Sequence, residues 1–344
     1  MYTHWMIQTH GDPIGSLQAL LVDIWEYANL DALWIPTHTS PDPSGEPYLL
    51  RDPKEVWQVN PFKPLMTLNA AKRIPDLIRA HAGESIGVLL RPCEMRALVE
   101  MSKHTSFPLD RLLTLSIDCL GTYPLEEYLW QAERKTASTQ SRQENLQFAR
   151  QGGILPYRYR SACQLCEAPN AETAQINIQV LGLPVRQQII VSTQETEGVK
   201  GINFPAFTAG PAQWDLLAQR EHVLGRMVAR RVHTRERVLA GISDILPENV
   251  DKLIGQFEKC GACQKCMQAC PICSVAFPRL GEEQKYLRQD VMRWLVSCAG
   301  CGMCELACPN GQPLSAIFGH VRRQLAQALD YFPGRSFSEP LPIA

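Results

Sequence analysis

The sequence predicts an α/β domain followed by a smaller, cysteine-rich C-terminal module. Three observations predict it. Apolar runs of strand length alternate with helical patterns through about residue 205. Nine of the thirteen cysteines fall between positions 260 and 308. The chain is 344 residues long, enough for two or three domains, each with its own core.

The elements follow in order. In "PIGSLQALLVDIWEYANLDALWIP" the apolar positions Leu17, Leu20, Leu21, Ile24 and Tyr27 recur at helical spacing, and "ALWIP" then reads as a buried strand. "TSPDPSGEP" is a loop by composition. "LNAAKRIPDLIRAHAG" is helical, with Gly83 near its end. "ESIGVLLRP" is a strand, "CEMRALVEMSKH" a helix and "RLLTLSID" a strand. "PLEEYLWQAERKTASTQSRQENLQFARQGG" is a polar helical excursion, and "AQINIQVLG" and "RQQIIVST" return to strand. Strands alternating with helices argue for a layered sheet with parallel strands.

From about Pro211 to Leu246 the pattern is helical. Between 220 and 238 it carries Arg220, Arg226, Arg230, Arg231, Arg235 and Arg237 against Glu221 and Glu236. This is either a solvated helix face or a docking surface for an acidic partner. The expected divisions are an α/β domain over 1–205, a helical linker over 206–249, a cysteine module over 250–320 and an extended tail over 321–344.

The module carries the clearest chemistry. Cys260, Cys263, Cys266 and Cys270-Pro271 follow C-x2-C-x2-C-x3-C-P, and Cys298, Cys301, Cys304 and Cys308-Pro309 repeat that spacing. Such runs hold two [4Fe–4S] clusters, and the fourth cysteine of each run ligates the other cluster. The expected sets are therefore Cys260, Cys263, Cys266 and Cys308 for one cluster, and Cys298, Cys301, Cys304 and Cys270 for the other. A structural zinc site would need only two separated cysteine pairs. The module is expected to be mainly helical or ferredoxin-like, with helical periodicity from Glu282 to Val296 between the runs. Cys273 is left over and reads as a small buried hydrophobe.

The formal net charge is −1, which gives no general attraction to nucleic acid or anionic membrane. The opening "MYTHWMIQTHGDP" lacks a signal-peptide pattern, and no apolar run approaches the roughly 18 residues of a membrane span. A cytoplasmic protein with reduced thiols is expected. The eight histidines show no metal spacing, and there is no nucleophile elbow, Walker loop or G-x-G-x-x-G fingerprint. No catalytic residue is assigned.

Four cysteines remain. Cys93 and Cys119 follow two successive strands, and Cys163 and Cys166 precede a third. Each alone reads as a buried small residue. Together they could meet at a strand end, where cofactors collect in α/β sheets.

"RPCEMRA", "IDCLG" and "CQLC" before "AETAQINIQVLGLP" resemble, in that order, the β-subunit family of deazaflavin-reducing hydrogenases and formate dehydrogenases. "GDPIGSLQALLVDIWEYANLDALWIP" resembles that family's glycine-rich turn, helix and strand. The likeness covers roughly residues 10 to 200. It implies an iron–sulfur flavoprotein subunit carrying FAD, with a third [4Fe–4S] cluster near the flavin held by Cys93, Cys119, Cys163 and Cys166. It also implies a catalytic partner of formate dehydrogenase or hydrogenase type, or a heterodisulfide-reductase-like flavoprotein. Gly11, Gly15 and Ser16 would hold flavin phosphate at the helix N-terminus, although Pro13 contributes no donor there. The function expected is electron transfer within a cytosolic oxidoreductase complex. The alternative is a flavin-free, ferredoxin-like adaptor that wires partner subunits together.

Overall fold

The computed structural model describes residues 2–36, 45–134, 158–194, 202–260, 263–281 and 285–343. Most of the "TSPDPSGEP" loop, the polar excursion beyond 134, and Glu282 lie outside them.

Seven strands form one sheet: β1 (Tyr2–Gln8), β2 (Ala32–Pro36), β3 (Pro47–Leu50), β4 (Ile86–Leu90), β5 (Leu112–Ile117), β6 (Ile176–Gln179) and β7 (Gln188–Gln194). Their order across the sheet is β1-β7-β6-β5-β4-β2-β3. The inner four, β6, β5, β4 and β2, run parallel. The outer strands β1, β7 and β3 pair antiparallel. The five strands expected from the sequence are all present. The two not expected, β1 and β3, lie at the sheet edges, where only Ile7 and Leu50 are buried, so neither carries a strong apolar signal.

The helices are α1 (Pro13–Tyr27), α2 (Ile74–Ala80), α3 (Pro92–His104), α4 (Leu125–Arg134), α5 (Ser161–Gln164), α6 (Phe204–Phe207), α7 (Trp214–Gly241), α8 (Val250–Lys259), α9 (Lys265–Ala269), α10 (Arg288–Val296), α11 (Met303–Leu306) and α12 (Leu314–Leu329). Leu17, Leu20, Leu21 and Ile24 are buried along α1 as expected, but Tyr27 is 41% exposed and lies against the Phe207 ring.

Strand side chains alternate between the two faces of the sheet. Leu33, Ile35, Leu89 and Leu115 share one apolar cluster with α1 and with Leu224 and Met227 of α7. Ala32, Trp34, Val88 and Leu90 share the other with α3. That second cluster continues without a break through Phe257, Met267, Ile272, Trp294, Phe318 and Val321. The cysteine-rich region is thus a mainly helical layer packed against the sheet's second face through α3. Trp294 anchors it with rings at 5.0 Å from Phe318 and 6.1 Å from Phe257. Truncating so buried an aromatic costs about 3–5 kcal/mol.

Two expectations are corrected. The segment after 320 is not an extended tail. Residues 314–329 form α12, whose apolar positions Ile317, Phe318, Val321 and Leu325 face the core. Beyond it, the Tyr331 hydroxyl donates to the buried Glu100 carboxylate, and the Gly334 amide does the same. The arginines of α7 are neither all solvated nor all offered to a partner. Arg220 is 2% exposed and Arg231 4% exposed, while Arg226, Arg230 and Arg237 face solvent.

Candidate electron-transfer centres

Parallel pairing of β4 with β5 brings their C-terminal ends together at one end of the strands, and each is followed by a cysteine. Cys93 sits in the first turn of α3, behind Pro92. Cys119 follows β5, two residues on. Its position is fixed by its neighbour Asp118, which is buried. The Asp118 carboxylate accepts from the amides of Ala171, Val180 and Leu181 at 2.8–2.9 Å and from Arg220 Nη2 at 3.2 Å. The Cys119 amide donates to the Pro169 carbonyl at 2.7 Å, which ties the Cys163–Pro169 stretch to the strand end. Cys163 lies in the single turn of α5, and Cys166 follows it.

All four cysteines line one cavity, together with Met66, Arg91, Thr122, Arg160, Arg231 and Cys301. The Thr122 hydroxyl lies 3.3 Å from Cys163 Sγ, and the Gly121 amide donates to Cys119 Sγ at 3.4 Å. Gly121 has φ +100°, and a Cβ there would stand 2.5 Å from the Tyr159 ring. Burial pushes Cys119 up to about 11, and Cys163 adds to this while Arg91 opposes it. Burial and the Glu94 carboxylate hold Cys93 well above the usual thiol range. Burial raises Cys163 too, but Arg160 and Thr122 outweigh it and the net shift is downward.

A second set lies in the C-terminal layer. Cys260, Cys263, Cys266 and Cys308 line a cavity of about 510 Å³, walled by Phe257, Met267, Tyr286 and Phe318. Cys260 and Cys263 are exposed, so this cavity opens to the surface. Burial pushes Cys266 up to about 11, with Cys260, Cys263 and Cys308 adding to the rise. Cys308, from the second run, therefore stands with three cysteines of the first.

The third set lies between these two, with Cys270 and Cys301 buried and Cys298 and Cys304 part-buried. Burial holds Cys304 well above the usual range, and Cys298, Cys301 and Cys270 add to it. Burial pushes Cys301 up to about 12, again with Cys270 and Cys298 adding. Cys270 differs: a hydrogen bond from Cys273 brings it down to about 7, helped by Trp294 Nε1 at 3.4 Å. The leftover Cys273 is buried, and its thiol is directed at Cys270.

The three sets are contiguous. Cys266 lies in α9, and Cys270 follows at its C-cap. Cys301, in the middle set, also lines the four-cysteine cavity. Gly302 makes that approach close: it has φ +70°, and a Cβ there would stand 2.3 Å from Ala162 Cβ, next to Cys163.

Among the described residues no three His, Cys, Asp or Glu side chains stand close enough to share a single metal ion. The thiolates of a cubane bind four separate irons and are spread more widely. The donor chemistry fits such a group. Burial and mutual repulsion raise most of these crowded thiols, Cys163 and Cys270 excepted, whereas coordination to a metal removes the proton outright. Arg160 Nε and Arg231 Nε at the four-cysteine cavity are buried and lack a hydrogen-bond partner.

Gly11, Gly15 and Ser16 lie at the N-terminus of α1. There the Asp12 side chain accepts from the Gly15 amide at 3.0 Å, and Ser16 Oγ donates to the Thr9 and Asp12 carbonyls. A carboxylate already occupies the positive end of this helix. Sequence reasoning missed Asp118, Arg91, Arg160, Arg231 and Thr122. The first two flank cysteines in "IDC" and "RPC"; Arg231 has no local signal.

No protein-family model matches the chain. It is 21% identical over 304 residues, spanning 75% of this chain and 76% of the relative, to the F420-dependent formate dehydrogenase subunit beta of Methanocaldococcus jannaschii. Among solved structures it matches the xenon-derivatised F420-reducing [NiFe] hydrogenase complex from Methanosarcina barkeri with a TM-score of 0.46 and 13% identity, over 69% of this chain and 91% of that chain.

Proposed function

We propose that the chain is an electron-transfer iron–sulfur subunit of a cytosolic oxidoreductase complex, of the β-subunit type found in formate dehydrogenases and hydrogenases. One observation carries the reading: twelve cysteines gather in three contiguous sets of four, running from an exposed mouth to the end of a parallel sheet. Cys260, Cys263, Cys266 and Cys308 would hold the outer cluster. Cys298, Cys301, Cys304 and Cys270 would hold the middle one, and Cys93, Cys119, Cys163 and Cys166 the inner one. When bound, a [4Fe–4S] cluster supplies storage for single electrons.

The chain's own residues do the rest. Phe257, Tyr286 and Phe318 form an apolar wall to the outer site. Trp294 and Cys273 direct their hydrogens at Cys270. Gly302 brings the middle and inner sites together. The formate dehydrogenase β subunit, although only 21% identical, supports a partner subunit that performs the substrate chemistry.

The resemblance also implies FAD, but the Asp12 carboxylate at the turn of Gly11, Gly15 and Ser16 favours a second reading for that turn. In it the turn holds no flavin phosphate, and the α/β domain serves as an adaptor. The test of both is iron, acid-labile sulfide and flavin per chain after anaerobic purification with added FAD, with Cys163→Ser alongside. About twelve irons, falling toward eight in the variant, is the expected result. About eight in both would sink the inner cluster. Bound flavin that survives Gly15→Asp would locate the flavin away from this turn.

A further inference from the structure

The charges around the inner site are not neutral. Arg91 is balanced by Glu94 at 3.2 Å. Arg160 and Arg231 are not balanced by any carboxylate among the described residues. Arg160 donates to the Met66 and Cys301 carbonyls, and Arg231 Nη1 donates to the Cys166 carbonyl at 3.0 Å. Glu167, beside Cys166, is taken by Arg235 and Arg323. A buried guanidinium without a counter-charge is expensive unless the site itself supplies negative charge.

The middle site has a different environment. Arg96 and Arg322 bind the Ala299 and Cys298 carbonyls there but are only part-buried, so water screens them; Arg96 also reaches the inner cavity, donating to the Ala168 carbonyl at 2.8 Å. Beside Cys304 stands Glu305, whose carboxylate accepts from Ser161 and from the Ser315 amide. Arg160 touches both sites, through the Cys301 carbonyl and through its place at the inner cavity. Arg231 lines the inner cavity and holds the Cys166 carbonyl there.

We infer that Arg231, a positioning residue with Arg160 beside it, makes the inner four-cysteine site more easily reduced than the middle one, so that electrons settle at the sheet end of the chain. This rests on the iron–sulfur reading. Reduction adds one negative charge to the site, and an uncompensated buried cation stabilises that charge more strongly than a solvated one does. The step is one electron leaving the middle site and entering the inner one, with no proton moved and no bond made or broken.

The test is a dithionite titration followed by EPR on the full chain, reconstituted anaerobically with ferrous iron and sulfide. Wild type, Arg231→Gln and Arg231→Lys are compared, and Cys163→Ser identifies the inner signal by its loss. In Arg231→Gln the equilibrium constant for reducing the inner centre is expected to fall about tenfold, a shift of about 59 mV for one electron, with the other two signals unmoved. Arg231→Lys, which keeps the charge, is expected to restore most of it. An inner signal unmoved in Arg231→Gln, or an equal shift in all three signals, overturns the inference and leaves the three-centre reading standing. A wild-type chain with only two centres overturns both.

Discussion

The buried pair of Asp118 and Arg220 makes the sharpest stability test. Asp118 is wholly enclosed, and Arg220 reaches it from α7 with Nη2 3.2 Å from both carboxylate oxygens. Three backbone amides complete the carboxylate's shell. Arg220→Met keeps the apolar stem but removes the counter-charge. Breaking a buried pair from one side costs about 3–5 kcal/mol, because the remaining charge cannot be resolvated. The three amides still stabilise the carboxylate, so the lower part of that range, about 3 kcal/mol, is expected. The assay is urea denaturation followed by circular dichroism, with bound iron measured in parallel. Asp118 immediately precedes Cys119, so on the proposed iron–sulfur reading any iron lost from the variant should come from the inner site first. The double variant Asp118→Asn with Arg220→Met should recover part of the loss, since no buried charge then remains. A cost below about 1 kcal/mol in the single variant would show that water reaches this pair, and the argument from burial would fail.

Two further outcomes follow from the same structure. Gly302→Ala forces a left-handed residue to carry a Cβ, worth about 1–2 kcal/mol, and drives that Cβ into Ala162, worth about 1–3 kcal/mol more. Gly300→Ala shares the positive φ but meets only the flexible end of Arg322, so the loss of urea stability should be larger at 302. Burial lowers His104 below its ordinary value, and its Nε2 shares a hydrogen with Ser297 Oγ at 2.9 Å, next to Cys298. The unfolded chain therefore binds a proton before the folded one does. Stability is expected to fall as pH drops below 6.5, and His104→Gln should flatten part of that slope in urea midpoints between pH 7.5 and 5.5. His4 and His320 are lowered by burial as well and carry the same sign, so the slope should not vanish.

The legible part of this chain was the part written locally. Five strands were readable because Leu33, Val88, Leu115, Ile178 and Val191 sit in apolar runs of strand length. Cys308 was expected beside Cys260, Cys263 and Cys266 because the fourth cysteine of such a run crosses to the other cluster, and the four line one cavity. The arginines of α7 were not readable. Arg220 and Arg226 look alike in sequence, and what separates them is Asp118, 102 residues away from the first. The same holds for α12: its apolar positions need the sheet-side layer to explain them, and that layer is assembled from segments on both sides of the cysteine runs. The turn at Gly11, Gly15 and Ser16 was read as an anion site from its glycines, while Asp12 stands between them and fills the place itself.

The apolar layer that runs from Val88 and Leu90 through α3 to Trp294 and Phe318 also fixes geometry over a long range. Tunnelling between redox groups depends steeply on separation, and a hinge between two modules could open or close such a path. Here the cysteine sets ride on helices interlocked with the sheet's own second face. Any electrons they carry would cross a solid rather than a joint, and their rate would be set at folding, not by a moving arm.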